Sequence, residues 1–78
     1  MAEAFWDKEV EIERFPKNER GEEIVVKKVE KKGKTFVDVR TFYPKGGEML
    51  PSTKGLAIPD DIADAVAEAI TKSAEVKI

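Results

Sequence analysis

Two β-branched segments separated by Lys31-Lys32-Gly33-Lys34 constrain this chain more than any other feature. Ile24 to Val29 and Thr35 to Tyr43 are rich in Val, Ile, Thr and aromatic residues, the types that suit a pleated, half-buried surface. With Lys32-Gly33 as a two-residue hairpin loop, Lys31 pairs with Lys34 and every other partner follows. Val29 then faces Phe36, Lys27 faces Asp38, Val25 faces Arg40 and Val26 faces Val39. The register gives the second strand two unlike faces. Val37 and Val39, with Ile24 and Val26 opposite, form an apolar side suited to a core. Lys34, Phe36, Asp38, Arg40 and Phe42 form a mixed side on which cations and rings alternate.

The mixed side admits two readings. Rings and cations interleaved on a sheet suit single-stranded nucleic acid, whose bases stack while its phosphates meet positive charge. The same pattern also describes a second apolar layer of Phe36 and Phe42 among solvated charges.

The rest of the chain fits around this hairpin. Val10 and Ile12 alternate with Glu9, Glu11 and Glu13, the period of a half-buried strand ending near Phe15. Residues 1–8 show no period and read as a tail. Pro16 to Gly21 and Pro44 to Gly47 read as loops, and Glu48 to Pro51 as a short edge strand. Ser52 to Gly55 reads as a connection into the apolar run Leu56-Ala57-Ile58. Pro59, followed by Asp60 and Asp61, opens a helix whose apolar stripe is Ile62, Ala65, Val66, Ala69 and Ile70. Strands first and one helix last predict an α+β fold: a curved four-stranded antiparallel sheet, with room for an extra N-terminal strand, backed by one C-terminal helix. The expected organisation is an acidic segment over 1–20, forming an extra strand or a tail, a domain over 21–73, and a frayed end over 74–78.

Charge is arranged in blocks. The net charge is −2, yet residues 24–55 carry eight basic and three acidic side chains, between an N-terminal block of net −4 and a C-terminal block of net −3. A central +5 block offers a phosphate backbone more than the total suggests. At 78 residues, with no Cys and no His, the chain has neither disulfides nor the commonest zinc ligands to support a small core. Self-association is the remaining aid. The same absence excludes Ser-His and Cys-His nucleophiles. Gly46-Gly47 lacks the spacing of a phosphate loop, and Asp60, Asp61 and Asp64 suit a helix start better than a metal. The chain reads as no enzyme, with no cofactor. No apolar run approaches a membrane span, and Met1 to Trp6 do not resemble a signal peptide, so an intracellular site is expected.

The string from Lys32 to Gly55, KGKTFVDVRTFYPKGGEMLPSTKG, resembles the core of the transcriptional coactivator p15 (PC4) family. The likeness lies in the KGK turn, the hydrophobic-D-hydrophobic-R strand, the aromatic pair, the GEM-like segment and the P-x-x-KG motif. It continues through Leu56-Ala57-Ile58-Pro59 into the helix, covering roughly residues 24–72. The resemblance implies a homodimer of curved sheets that binds single-stranded DNA, or opened duplex, with little sequence preference. It also implies a place in transcription regulation, in a nucleus or in a bacterial cytoplasm and nucleoid. Lys34, Arg40, Tyr43 and Lys54 match residues that contact the strand. Tyr43 has the opposite strand parity and needs a bend near Phe42 to reach the same face. Three positions depart from the pattern: Lys31 stands where an aromatic often precedes the turn, Ile58 where Ser or Thr caps the helix, and Ala63 where Trp is frequent.

Three functions are therefore weighed. The leading one is a single-strand binder with Lys27, Lys31, Lys32, Lys34, Arg40 and Lys54 on phosphates and Phe36, Phe42 and Tyr43 as rings, taking DNA and with RNA as an open alternative. The second is a protein-interaction module whose acidic ends bind transcription machinery without touching DNA. The third is a dimerisation domain without a ligand.

Overall fold

In the computed structural model, residues 5–78 are described. Four strands form one antiparallel sheet in the order β1 (Lys8–Pro16), β2 (Glu23–Lys31), β3 (Lys34–Lys45) and β4 (Glu48–Pro59). A 3-10 turn (Asp60–Ile62) leads into helix α1 (Ala63–Ser73). Each strand is joined to the next by a hairpin, so neighbours in sequence are neighbours in the sheet.

The central hairpin has the register that its turn dictates: Lys31 pairs with Lys34, Val29 with Phe36, Lys27 with Asp38 and Val25 with Arg40. Lys32 and Gly33 both have positive φ, 51° and 79°, the left-handed pair that matches the twist of the flanking strands. Gly46 and Gly47 repeat the device between β3 and β4, so β3 runs on through Pro44 and Lys45 where the sequence suggested a loop.

Two elements differ from expectation. The N-terminal segment is the first of the four strands, not a fifth: β1 pairs with β2 from Lys8 opposite Glu30 to Pro16 opposite Glu23, with an irregularity between Glu11 and Glu13. The two short pieces expected after Gly47 are one strand, β4, whose register slips where Arg40 pairs with Gly55 and Phe42 with Pro51. Ser52 to Lys54 thus bulge opposite Thr41, and a bulge accommodates the Pro and Gly that read as strand ends.

Burial is reversed relative to the sequence reading. The buried apolar residues are Val25, Val29, Phe42 and Ile58, and three of them lie on the mixed face. Val37, Val39, Ile24 and Val26, expected to carry the core, are only half-buried, while Val10, Phe15 and Leu56 on that same face are exposed. Helix α1 buries none of its residues, and Ile62 and Ile70 of its apolar stripe are exposed. The molecule measures 42 × 37 × 18 Å with a radius of gyration of 13.9 Å. A compact chain of this length should reach about 11.5 Å. The fold is an open single layer.

Candidate nucleic-acid interface

The mixed face carries a cavity of about 560 Å³. Lys27 of β2 and Asp38, Arg40 and Phe42 of β3 form its floor, the β4 bulge (Pro51, Ser52, Thr53) one wall, and Phe5, Trp6 and Glu9 the other. Period-two alternation puts the β2 and β3 groups on one side of the sheet.

Arg40 is the best-held cation. Its Nε and Nη2 donate to the two Asp38 oxygens at 3.1 and 3.0 Å, and Nη1 donates to the Ser52 carbonyl at 3.0 Å. Asp38 is 2% exposed, so this forked pair compensates a buried carboxylate. Gly55 makes the arrangement possible: a Cβ there would lie 2.6 Å from Arg40 Cζ and 2.8 Å from its Cγ. Asp38 was expected to pair with Lys27 across the hairpin. The register does place them opposite, but Asp38 takes Arg40 beside it, and Lys27 reaches Glu9 at 3.0 Å. The Lys27 ammonium also sits 4.9 Å from the centre of the Phe42 ring.

The cavity is therefore nearly neutral, since Lys27 and Arg40 are each matched by an acid. Free positive charge lies outside its lining. Among the described residues, Lys31, Lys32, Lys34 and Lys54 have no carboxylate within ion-pair distance. Lys34 lines a second, shallower depression with Thr35, Phe36, Pro59, Asp60 and Asp61. Lys54 is exposed in the β4 bulge, where its N–H donates to Ser52 Oγ at 3.1 Å. Lys28, on the other face, pairs with Asp60.

Of the three rings, Phe42 is buried, and Phe36 is half-buried with Trp6 5.9 Å from it. Tyr43 pairs with Leu50, keeps the parity opposite to Arg40, and lies outside the cavity lining. Sequence reasoning overlooked Phe5, Trp6, Glu9, Ser52 and Gly55. An adjacent Phe-Trp pair in an otherwise acidic segment was the available signal, because rings without a periodic partner need a surface to lie on. Residues 1–8 were read as a tail; residues 1–4 lie outside the described residues, while Phe5 to Asp7 sit over the mixed face.

Two acids outside the cavity are shifted. Hydrogen bonds from Arg14 hold the Glu11 carboxyl below its ordinary value, and hydrogen bonds from Asn18 and then Arg20 do the same for Glu22. Both belong to β1 and the loop after it. The same network, led by the Glu11 hydrogen bond, raises the Arg14 pKa, so its charge is permanent.

An antiparallel meander with one terminal helix and a cavity of rings and cations on its open side defines a small α+β sheet-surface module. The chain belongs to the transcriptional coactivator p15 (PC4) family, whose model matches residues 17–69. That is a transcription-related family of DNA-binding coactivators and not of enzymes, and such a family implies a nuclear or nucleoid-type location. Neither a curated protein nor a solved structure matches the chain. No helix of the described residues is long and apolar enough to cross a membrane.

Proposed function

We propose that the chain is a homodimer that binds single-stranded DNA without sequence preference and regulates transcription by doing so. The observation that carries this reading is the cavity on the mixed face, where Phe42, Lys27 and Arg40 meet, together with Lys31, Lys32, Lys34 and Lys54, which no carboxylate pairs among the described residues. Bases stack on rings inside it while phosphates run along Lys31, Lys32, Lys34 and Lys54, a division of labour that tolerates any sequence. The binding unit is residues 21–73, with 1–20 as an acidic extension that contributes β1. Dimerisation is supported by the opposite face, where Val10, Phe15 and Leu56 are exposed on one thin molecule, and by the exposed Ile62 and Ile70 of the terminal helical segment. Contiguous apolar surface of this kind marks an interface, and a second copy supplies the missing layer.

Binding driven by four lysines should weaken with salt at a log–log slope of about −3 per protomer, from about −0.7 per neutralised phosphate. Fluorescence anisotropy of a labelled mixed-sequence single strand, titrated at several salt concentrations with duplex as competitor, measures it. Lys34→Gln and Lys54→Gln should each flatten the slope by about 0.7. Arg40→Gln should weaken binding with little change in slope, because Asp38 already neutralises Arg40. A flat salt response, or equal displacement by duplex, would remove the reading.

A protein-facing coactivator role, in which the acidic ends meet transcription machinery, is the second reading. The concentration of eight acidic residues in the first 23 favours it. It predicts that such contacts survive loss of Lys34 and Arg40.

A further inference from the structure

Phe5 and Trp6 lie outside the matched residues 17–69, yet they form a wall of the cavity. We infer that Trp6, supported by Phe5, is a base-stacking residue of the single-strand site, supplied by the N-terminal segment that Lys31 holds against the sheet. This rests on the groove reading and assigns that groove a ring from outside the family domain.

The segment is anchored at both ends of its short path. The Asp7 N–H donates to the Glu30 carbonyl at 2.8 Å, and Asp7 Oδ2 accepts the Lys32 N–H at 2.8 Å. Lys31 Nζ donates to the Phe5 carbonyl at 2.5 Å and lies 4.6 Å from the centre of the Phe5 ring. Thus Lys31, the residue that departs from the family pattern, is itself the clamp that brings an aromatic to that corner. Phe5 and Trp6 meet edge to face at 4.7 Å and 88°, and Trp6 backs onto Phe36 at 5.9 Å. An indole fixed between two rings loses little freedom when a base arrives, which favours binding.

The rings line the cavity without filling it. About 560 Å³ remains with both in place, inside the roughly 300–1,000 Å³ of sites that hold small organic ligands. Phe5 is 66% exposed, so its ring is open to a ligand entering the cavity. Phe42 is buried beneath Lys27, so the most exposed ring of the cavity is Phe5, with Trp6 half-buried beside it. An unpaired base is the occupant whose chemistry fits. It has two π faces for the indole, and a polar edge for the Ser52 and Thr53 rim.

The test uses the fact that Trp6 is the chain's single tryptophan. The full chain is titrated with unlabelled single-stranded oligothymidine while Trp6 emission is read, and affinities of wild type, Trp6→Ala and Trp6→Phe are measured by anisotropy. Circular dichroism verifies that each variant keeps its strands. Stacking predicts that emission is quenched with the same midpoint as anisotropy. It also predicts that Trp6→Ala weakens binding about 5- to 150-fold, the range for one stacked base, and that Trp6→Phe retains most of the affinity. Unchanged emission during binding, or wild-type affinity in Trp6→Ala, overturns the assignment and leaves the groove reading intact. Tighter binding by Trp6→Ala also overturns it, because the segment would then be a cover competing with DNA. No binding of any single strand by wild type overturns both.

Discussion

Arg40 and Gly55 face each other across β3 and β4, and a side chain at position 55 cannot be added without moving Arg40. Adding one methyl at Gly55 puts a carbon 2.6 Å from the guanidinium carbon, so Arg40 must swing out and release Asp38. Asp38 would then be a buried carboxylate without its fork. Gly55→Ala should therefore cost about 1–3 kcal/mol of stability and weaken single-strand binding as Arg40→Gln does. Urea melts and anisotropy on one preparation check both effects. At the hairpin tip the opposite sign is expected. Lys32 holds φ at 51°, a region that Asn tolerates better than Lys, so Lys32→Asn should stabilise the fold by up to about 1 kcal/mol while removing one phosphate contact. A gain in melting temperature with a shallower salt slope is the expected pair of results. That Arg40 and Lys34 share a face of β3 was legible from strand parity alone. Gly55 was not, because its role exists only once β4 pairs with β3 and the bulge sets what lies opposite Arg40.

At the level of elements, the sheet shows why local patterns mislead. Pro51 and Gly55 punctuate the sequence of β4 into two apparent pieces, yet backbone pairing to β3 joins them, since a bulge absorbs residues that a regular ladder would reject. Periodicity identified β1 as a strand but could not assign it a neighbour. What holds it includes an electrostatic bracket: Arg14 donates to Glu11 of its own strand at 3.0 and 2.7 Å and to Glu23 of β2 at 2.7 Å. Glu11 and Glu22 have folded-state pKa values lowered by these and neighbouring donors. A lowered folded value means the stabilisation is fully present above the ordinary carboxylate range and is lost as pH falls through the lowered folded value. The melting temperature should fall as pH drops below the ordinary glutamate value of about 4.3, and Glu11→Gln should make that fall shallower. A Glu11→Gln melt with the full wild-type acid dependence would show that the bracket contributes nothing. Because these groups are exposed, the effect should also shrink in high salt.

At the scale of the whole molecule, the central inconsistency of the single chain is that its most apolar surface is the open one. Sequence pattern assigned Val37, Val39, Ile24 and Val26 to a core, and alternation indeed puts them on one face with Leu56 and Ile58. The described residues leave that face uncovered: helix α1 buries nothing, and the layer is only 18 Å thick in its short dimension. The core read from the sequence is thus half of a core, legible as a pattern but not completed by one copy. If a second copy completes it, folding and association are one equilibrium, and the melting temperature must rise with protein concentration. Leu56→Glu together with Ile70→Glu places charge on the β4 and α1 parts of the surface while leaving the mixed face untouched. Wild type should sediment at twice the mass of the chain, and the double variant at the single-chain mass with a lower, concentration-independent melting temperature. Burying even one unpaired carboxylate at the interface costs several kcal/mol, enough to dissociate a small dimer. The cavity residues lie on the opposite side of the sheet, so a monomeric variant that still folds should retain Trp6 quenching by oligothymidine with weaker apparent affinity, because two linked grooves on one strand act at high effective concentration. A wild-type chain that sediments as a monomer, or a double variant that remains dimeric, would place the interface elsewhere or abolish it.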